Sequence, residues 1–349
     1  MGSVFGYIHH RGTIPFDKTE PNKIDALILS QLAYIPFENI IPEEFNRSVT
    51  LSHAAKLFLN SENKRVIWKN DPRLIEEAGN SRRFGGIKLS GFVNRVSRAE
   101  IKQFSAVTFE INPSLHFIAF RGTDHTVTGW EEDFTLYSRS VLPSQRDARV
   151  YFKSAFLAYG GDFILGGHSK GGNLALYTVD HCDKELKNCI KAVYNFDGPS
   201  LDKEMSRADV YTFIPQASFF GIMLTRGDNF AVIKSRNNSF NQHDITSWEI
   251  NGSDFVYAEK RSEIGLFMER AFNDFVSNLS KREREALIDS LFKIFHKTNK
   301  TNFDDIIQNP SSLAVSFSKL NKKERSIVLK SAGKALKSAG SNIFNKQKR

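Results

Sequence analysis

The sequence predicts an α/β protein built on a mainly parallel sheet, with helical additions at both ends. Two observations lead there. Between residues 104 and 233 short apolar segments alternate with helical ones, and a glycine-rich turn around Ser169 joins one such strand to a helix. Parallel neighbours need a crossover long enough to carry a helix, so this alternation implies βαβ units.

The chain begins helical. An apolar rhythm runs from Ile24-Asp25-Ala26-Leu27-Ile28-Leu29 to Ala33-Tyr34-Ile35, and Pro21-Asn22 marks its start. A serine precedes HAAKLFL at Leu51-Ser52, giving a second helix, and PRLIEEAG gives a third. Residues 1–100 are therefore expected to form a helical cap or lid packed on the sheet. Strand character begins at Phe104-Ser105-Ala106-Val107-Thr108-Phe109, turns at Asn112-Pro113-Ser114 and returns as Leu115 to Phe120, a hairpin. A helix near 144–159 precedes the strand Phe163-Ile164-Leu165, and another runs from the serine turn towards His181. Strands at Ile190 to Phe196, Val210 to Ile214 and Phe230 to Ile233 complete a core over 101–262. REREALIDSLFKIF has one apolar face, so 263–318 are expected to be helices packed on that core. Residues 319–349 read as a basic amphipathic tail.

Composition narrows the possible partners. Hydrophobic residues at 40% and charged residues at 25% exclude a disordered or fibrous chain. No stretch reaches the roughly 18 apolar residues that cross a bilayer. MGSVFGYIHHRG has neither the basic start and apolar core of a secretory leader nor, with Gly6 at the sixth position, a myristoylation signal. A cytoplasmic protein is expected. Cys182 and Cys189 are the only cysteines, which gives no disulfide framework, and no histidine cluster beside them has metal-ligand spacing. Neither a metal nor a cofactor is expected. The net charge is +9, and ten basic residues against Glu324 alone between 319 and 349 supply all of it. The body is neutral, so no basic groove for nucleic acid is expected there.

FILGGHSKGGNLALYTV places Gly167-His168-Ser169-Lys170-Gly171 between an apolar strand and an apolar helix. A nucleophilic serine needs such a turn, which lifts its oxygen above the sheet while flanking glycines let backbone approach without Cβ clashes. A structural glycine turn or a phosphate-cradling helix start has similar letters. The absence of GxxxxGK[ST] and GxGxxG weighs against phosphate, and Ser169 is read as the nucleophile.

Phe120-Arg121-Gly122-Thr123, then Trp130-Glu131-Glu132-Asp133-Phe134, then GHSKGG about forty residues on resemble the class 3 lipase branch of the α/β-hydrolases. More closely the chain is similar to a set of bacterial proteins in that branch that share FDGPS-like and QHD-x-x-SW segments. The likeness runs loosely over 20–300, with its specific motifs between 117 and 248. It implies an α/β-hydrolase fold and a lipase- or esterase-like serine hydrolase of lipid-like acyl esters. It further implies that Thr123 and Lys170 supply the oxyanion hole through their backbone N–H groups, with Asp133 holding the Thr123 loop.

Hydrolases of this fold place Ser, acid and His in that order along the chain. Of nine histidines only His243 follows the last sheet strand within a short loop, which marks it as the general base. His296 lies in the helical KIFHK and reads as a surface residue, and His168 is too close in sequence to Ser169 to serve it. Similar lipases carry the acid after the strand that is VYTFIP here, but Gln216-Ala217-Ser218 follows it. Asp197, directly after the preceding strand, is the first candidate, with Asp228 and Asp244 behind it. Aspartate before glycine is also an ordinary turn residue.

In the tail Val328, Ala332, Ala335, Leu336, Ala339 and Ile343 align on one helical face. The stripe is mostly alanine, so weak contact with an anionic membrane surface, peripheral at most, is the expectation beside a merely solvated helix. The departure from the usual acid position keeps a second function open: a catalytically silent hydrolase fold used as a binding module.

Overall fold

The computed structural model describes residues 2–62, 65–136, 138, 141–201, 209–222, 229–298, 315–330 and 333–334. Its elements run α1 (Val4–Arg11), α2 (Lys23–Leu32), β1 (Val49–Thr50), α3 (Leu51–Asn60), α4 (Asp71–Asn80), β2 (Lys88–Ser97), β3 (Lys102–Asn112) and β4 (Leu115–Phe120). Then come α5 (Val127–Thr135), α6 (Pro143–Tyr159), β5 (Asp162–His168), α7 (Lys170–His181), α8 (Lys184–Lys187), β6 (Ile190–Phe196), β7 (Val210–Pro215) and β8 (Ala231–Ile233). Two 3-10 turns (Ser239–His243 and Ile245–Ser247), the ribbon β9 (Ile250–Asn251) and β10 (Asp254–Phe255), and the helices α9 (Glu263–Ser277) and α10 (Lys281–Lys297) follow.

The eight strands β1 to β8 lie side by side in chain order. β1 pairs antiparallel with β2 and β3 with β4, whereas β4 to β8 are parallel. This mainly parallel central sheet flanked by helices is the α/β-hydrolase fold. Each parallel step moves to the next strand in order, so right-handed crossovers deliver their helices to one face. The opposite face is left to the N-terminal helices. The pleat shows the division: Phe117, Ala119 and Ile164 bury against Ile24, Leu27 and Ile28 of α2. Their alternates Phe120 and Phe163 meet Tyr151 and Phe152 of α6. Strands covered on both faces read as continuous apolar runs, which is why they were legible in sequence.

Residues 1–100 are less purely helical than the sequence predicts. They contribute β1 and the ten-residue β2, whose Ser90, Gly91 and Asn94 are poor strand formers that hide the pattern. They also contribute α1, whose first turn Ser3 caps through a bond from the Gly6 N–H.

The chain divides into two compact units. Residues 1–95, 104–122 and 144–262 form the first, so the N-terminal helices and the sheet are one body. A fully buried ion pair fastens it: the Arg83 guanidinium donates to both Asp25 carboxylate oxygens at 2.8 and 2.6 Å. Its outer nitrogens reach the carbonyls of Ile14 and Glu20, and Tyr7 Oη also donates to Asp25. Satisfying the charge on every side is what makes its burial tolerable.

Residues 96–103, 123–143 and 263–349 form the second unit. Here α10, started by a Ser280–Glu283 capping box, packs on α5 through Val127, Trp130, Ile288 and Phe292. His296, read from sequence as a surface residue, is 16% exposed and meets the Glu131 carboxylate at 2.7 Å. A helical pattern cannot disclose a partner 165 positions away. The described part of the tail is tied to the same helices, since Lys334 donates to Glu283 and to the Asn278 carbonyl and Lys293 pairs with Glu324. Most of the tail's apolar stripe lies outside the described residues. Among the described residues no helix is long and apolar enough to cross a membrane, and no group of three or more His, Cys, Asp or Glu side chains could hold a metal ion.

Candidate active site

The parallel strands β5, β6, β7 and β8 end at one edge of the sheet, and the residues that follow them build the site. Ser169 is the single residue between β5 and α7, with φ 58° and ψ −133°. L residues avoid that region at a cost of about 1–3 kcal/mol. The conformation is imposed from both sides: the Ser169 N–H donates to the Phe196 carbonyl and its own carbonyl accepts from Gly172, both at 2.9 Å. The turn is tight enough that a Cβ on Gly171 would stand 2.0 Å from the Phe120 carbonyl oxygen. Serine at a helix start ordinarily spends its hydroxyl on capping; Ser169 makes no such bond.

His243 ends the first 3-10 turn, and its Nδ1 meets Asp197 Oδ2 at 2.6 Å. A carboxylate only accepts, so the shared proton sits on Nδ1 and Nε2 is the basic nitrogen. Asp197, fully buried after β6 at φ 52°, is held in turn: the Ser218 hydroxyl and the Gly221 N–H donate to its other oxygen. Ser218 thus stands after β7, where the lipase pattern expects the acid, and its hydroxyl supports the Asp197 carboxylate that follows β6. The remaining letters around the histidine are scaffold. Gln242 Oε1 accepts the Ala217 N–H at 2.8 Å, and the buried Trp248 indole donates to the Gln242 carbonyl at 2.9 Å. Asp244 caps the next turn by accepting from the Thr246 N–H and hydroxyl, so its Oδ1 is engaged away from the imidazole. Asp228 lies outside the described residues.

The His243 ring is packed on both sides, by His168 at 4.3 Å and Phe220 at 4.4 Å between ring centroids, with Trp68 edge-on at 5.9 Å. His168 is too close in sequence to act on its neighbour Ser169, but its ring walls one side of the His243 imidazole. Its Nδ1 shares a hydrogen bond with Tyr34 Oη at 3.0 Å. Burial drives this imidazole well below the ordinary histidine range; the charge of His243 adds to the drop and a backbone hydrogen bond with His243 only partly opposes it, so His168 is neutral at neutral pH. His168, Tyr34, Trp68, Ser218 and Phe220 escape sequence reasoning because no local pattern marks them. Only the serine standing at the usual acid position offered a clue.

Lys170 opens α7 and is buried. Thr123 follows Gly122, at which a Cβ would lie 2.9 Å from the Ser169 Cβ. Within its own unit the Thr123 hydroxyl donates to the Asp133 carboxylate, which ties the loop to α5.

Asp71, at the start of α4, is a fully buried carboxyl close to this region. Gln31 Nε2 and the Trp68 N–H donate to it at 2.6 and 3.3 Å. Burial nevertheless pushes it from 3.8 up to about 7, and the charge of Asp244 adds to the shift. The unfolded chain releases this proton near pH 4 and the folded one only near 7, so stability falls as pH rises through that window. Asp71→Asn cannot ionise and is expected to gain on the parent as pH rises from 4 to 8, by at most roughly 4 kcal/mol. Thermal melts of both proteins across that range measure the gap. A gap that does not move with pH refutes the assignment.

The Lip2 lipase from Yarrowia lipolytica is one solved structure that the chain resembles, at 11% identity and a TM-score of 0.29, over 53% of this chain and 76% of that one. No curated protein matches. A family model described as Mbeg1-like matches residues 78–293, more than half of the chain. That span holds the strand-turn-helix at Ser169, the Asp197 turn and the His243 loop, and the chain belongs to this lipase-like Mbeg1-like family.

Proposed function

We propose that the protein is a serine hydrolase that cleaves acyl esters of lipid-like substrates through a covalent acyl-enzyme. The observation that carries the reading is the 2.6 Å contact between His243 Nδ1 and the buried Asp197 carboxylate, beside a serine held in a strained turn. The ring of His168, next to Ser169 in the chain, packs 4.3 Å from that of His243, which supports a base close to the serine turn.

In this reading Ser169 Oγ attacks the acyl carbonyl while His243 Nε2 takes its proton. Asp197 fixes the tautomer and stabilises the imidazolium. The tetrahedral oxyanion accepts from the Lys170 N–H at the start of α7. His243 returns the proton to the departing alcohol, and water then releases the acid by the reverse sequence. Ester cleavage needs no redox partner, and the residues named supply every proton transfer.

A fluorophosphonate probe tests the proposal. Labelling of the folded protein that disappears in Ser169→Ala supports it. A folded wild type that stays unlabelled defeats it and favours a silent binding module.

A further inference from the structure

The support of His243 continues into a part of the chain outside the span matched by the family model. Residues 68–71 open α4. The Trp68 ring stands edge-on to three rings at once: Tyr34 at 6.1 Å, His168 at 5.6 Å and His243 at 5.9 Å. Asn70 occupies the N-cap position of α4, where asparagine ordinarily turns its side chain onto the first helical N–H groups, a bond worth about 1 kcal/mol. It makes no capping bond. Its Nδ2 donates instead to Thr246 Oγ1 at 2.8 Å, in the turn directly after His243. Thr246 is in turn fastened to Asp244 through both its N–H and its hydroxyl. The 68–71 turn is itself anchored, because Asp71 accepts the Trp68 N–H and is held by Gln31 of α2. A helix start that forgoes its own cap to grip a turn 176 positions away has a role beyond α4.

We infer that the Trp68–Asn70 turn is a positioning device for the base: Trp68 bounds the edge of the His243 imidazole, and Asn70 locks the following turn through Thr246. The inference rests on the reading of His243 as the general base. The physical reason is preorganisation. A base that must meet a serine hydroxyl loses rate when its ring samples other orientations, even if the Asp197 contact can still form. Neither residue touches the reacting atoms, so both are positioning residues.

The test uses the full chain and two readouts. The first is the rate of fluorophosphonate labelling at Ser169. The second is the low-field proton resonance of His243 Nδ1–H, which reports the Asp197 hydrogen bond whether or not the protein turns over substrate. Asn70→Ala and Trp68→Ala are each expected to slow labelling about 10-fold and to broaden the resonance through faster solvent exchange, with Trp68→Phe restoring most of both. Asn70→Ala combined with Thr246→Val should lose no more than the worse single variant, since one contact is being removed twice. Folded Asn70→Ala and Trp68→Ala proteins that keep wild-type labelling and a wild-type resonance overturn the inference, and so do additive losses in the double variant. A wild type that shows the resonance but takes no label, with the resonance broadened in the variants, keeps the positioning role and sinks the hydrolase reading instead.

Discussion

Replacing Ser169 by alanine is expected to lower turnover of a chromogenic acyl ester by about 10⁶-fold, to the level set by binding and the oxyanion donors alone. The size follows from the roles involved. Without the oxygen there is no acyl-enzyme, and the aligned imidazole has no hydroxyl to activate. The fold should survive, because the hydroxyl makes no cap for α7 and the backbone contacts to Phe196 and Gly172 are untouched. Steady-state kinetics with a melting curve on the same sample decide the matter. A folded alanine variant within tenfold of wild type would mean that another group attacks the ester.

Asp197→Asn is the second large effect, an expected loss of about 10⁴-fold in kcat with KM little changed. The amide fits the volume and can still meet His243 Nδ1, but its NH₂ group donates where the carboxylate accepted. The imidazole proton is then driven to Nε2, the nitrogen that must be free to take the serine proton. Ser218 and Gly221 would meanwhile keep the side chain in place through its remaining oxygen. Kinetics on short-chain esters measure the loss. An Asp197→Asn enzyme with more than a tenth of wild-type kcat would remove Asp197 from the mechanism.

How much of this was legible in the sequence depended on whether the signal was local. The Ser169 turn announced itself because its strand, glycines and helix are contiguous. β4 to β8 did so because strands buried on both faces leave apolar runs. The acid was harder. Asp197, Asp228 and Asp244 were all plausible by position, and the choice between Asp197 and Asp244 turns on which one faces the imidazole and which one caps a turn. β2 escapes because Ser90, Gly91 and Asn94 interrupt the apolar pattern of its buried Leu89, Phe92 and Val93. Trp68, Tyr34, Ser218 and the Glu131 partner of His296 were invisible for one shared reason: each acts through a contact with a distant part of the chain. Such contacts leave no periodicity.

Five non-glycine residues among those described hold positive φ, and three of them serve the same edge of the sheet. Ser169 and Asp197 are two; the third, Ser239, begins the turn that delivers His243. Left to themselves, all three peptide units would rotate to easier angles, so the geometry persists only while surrounding structure forbids it. The alignment of the proposed triad is then on loan from the stiffness of the scaffold. Mild denaturant or warmth that lets this rim breathe should silence the chemistry while the helices behind it still stand.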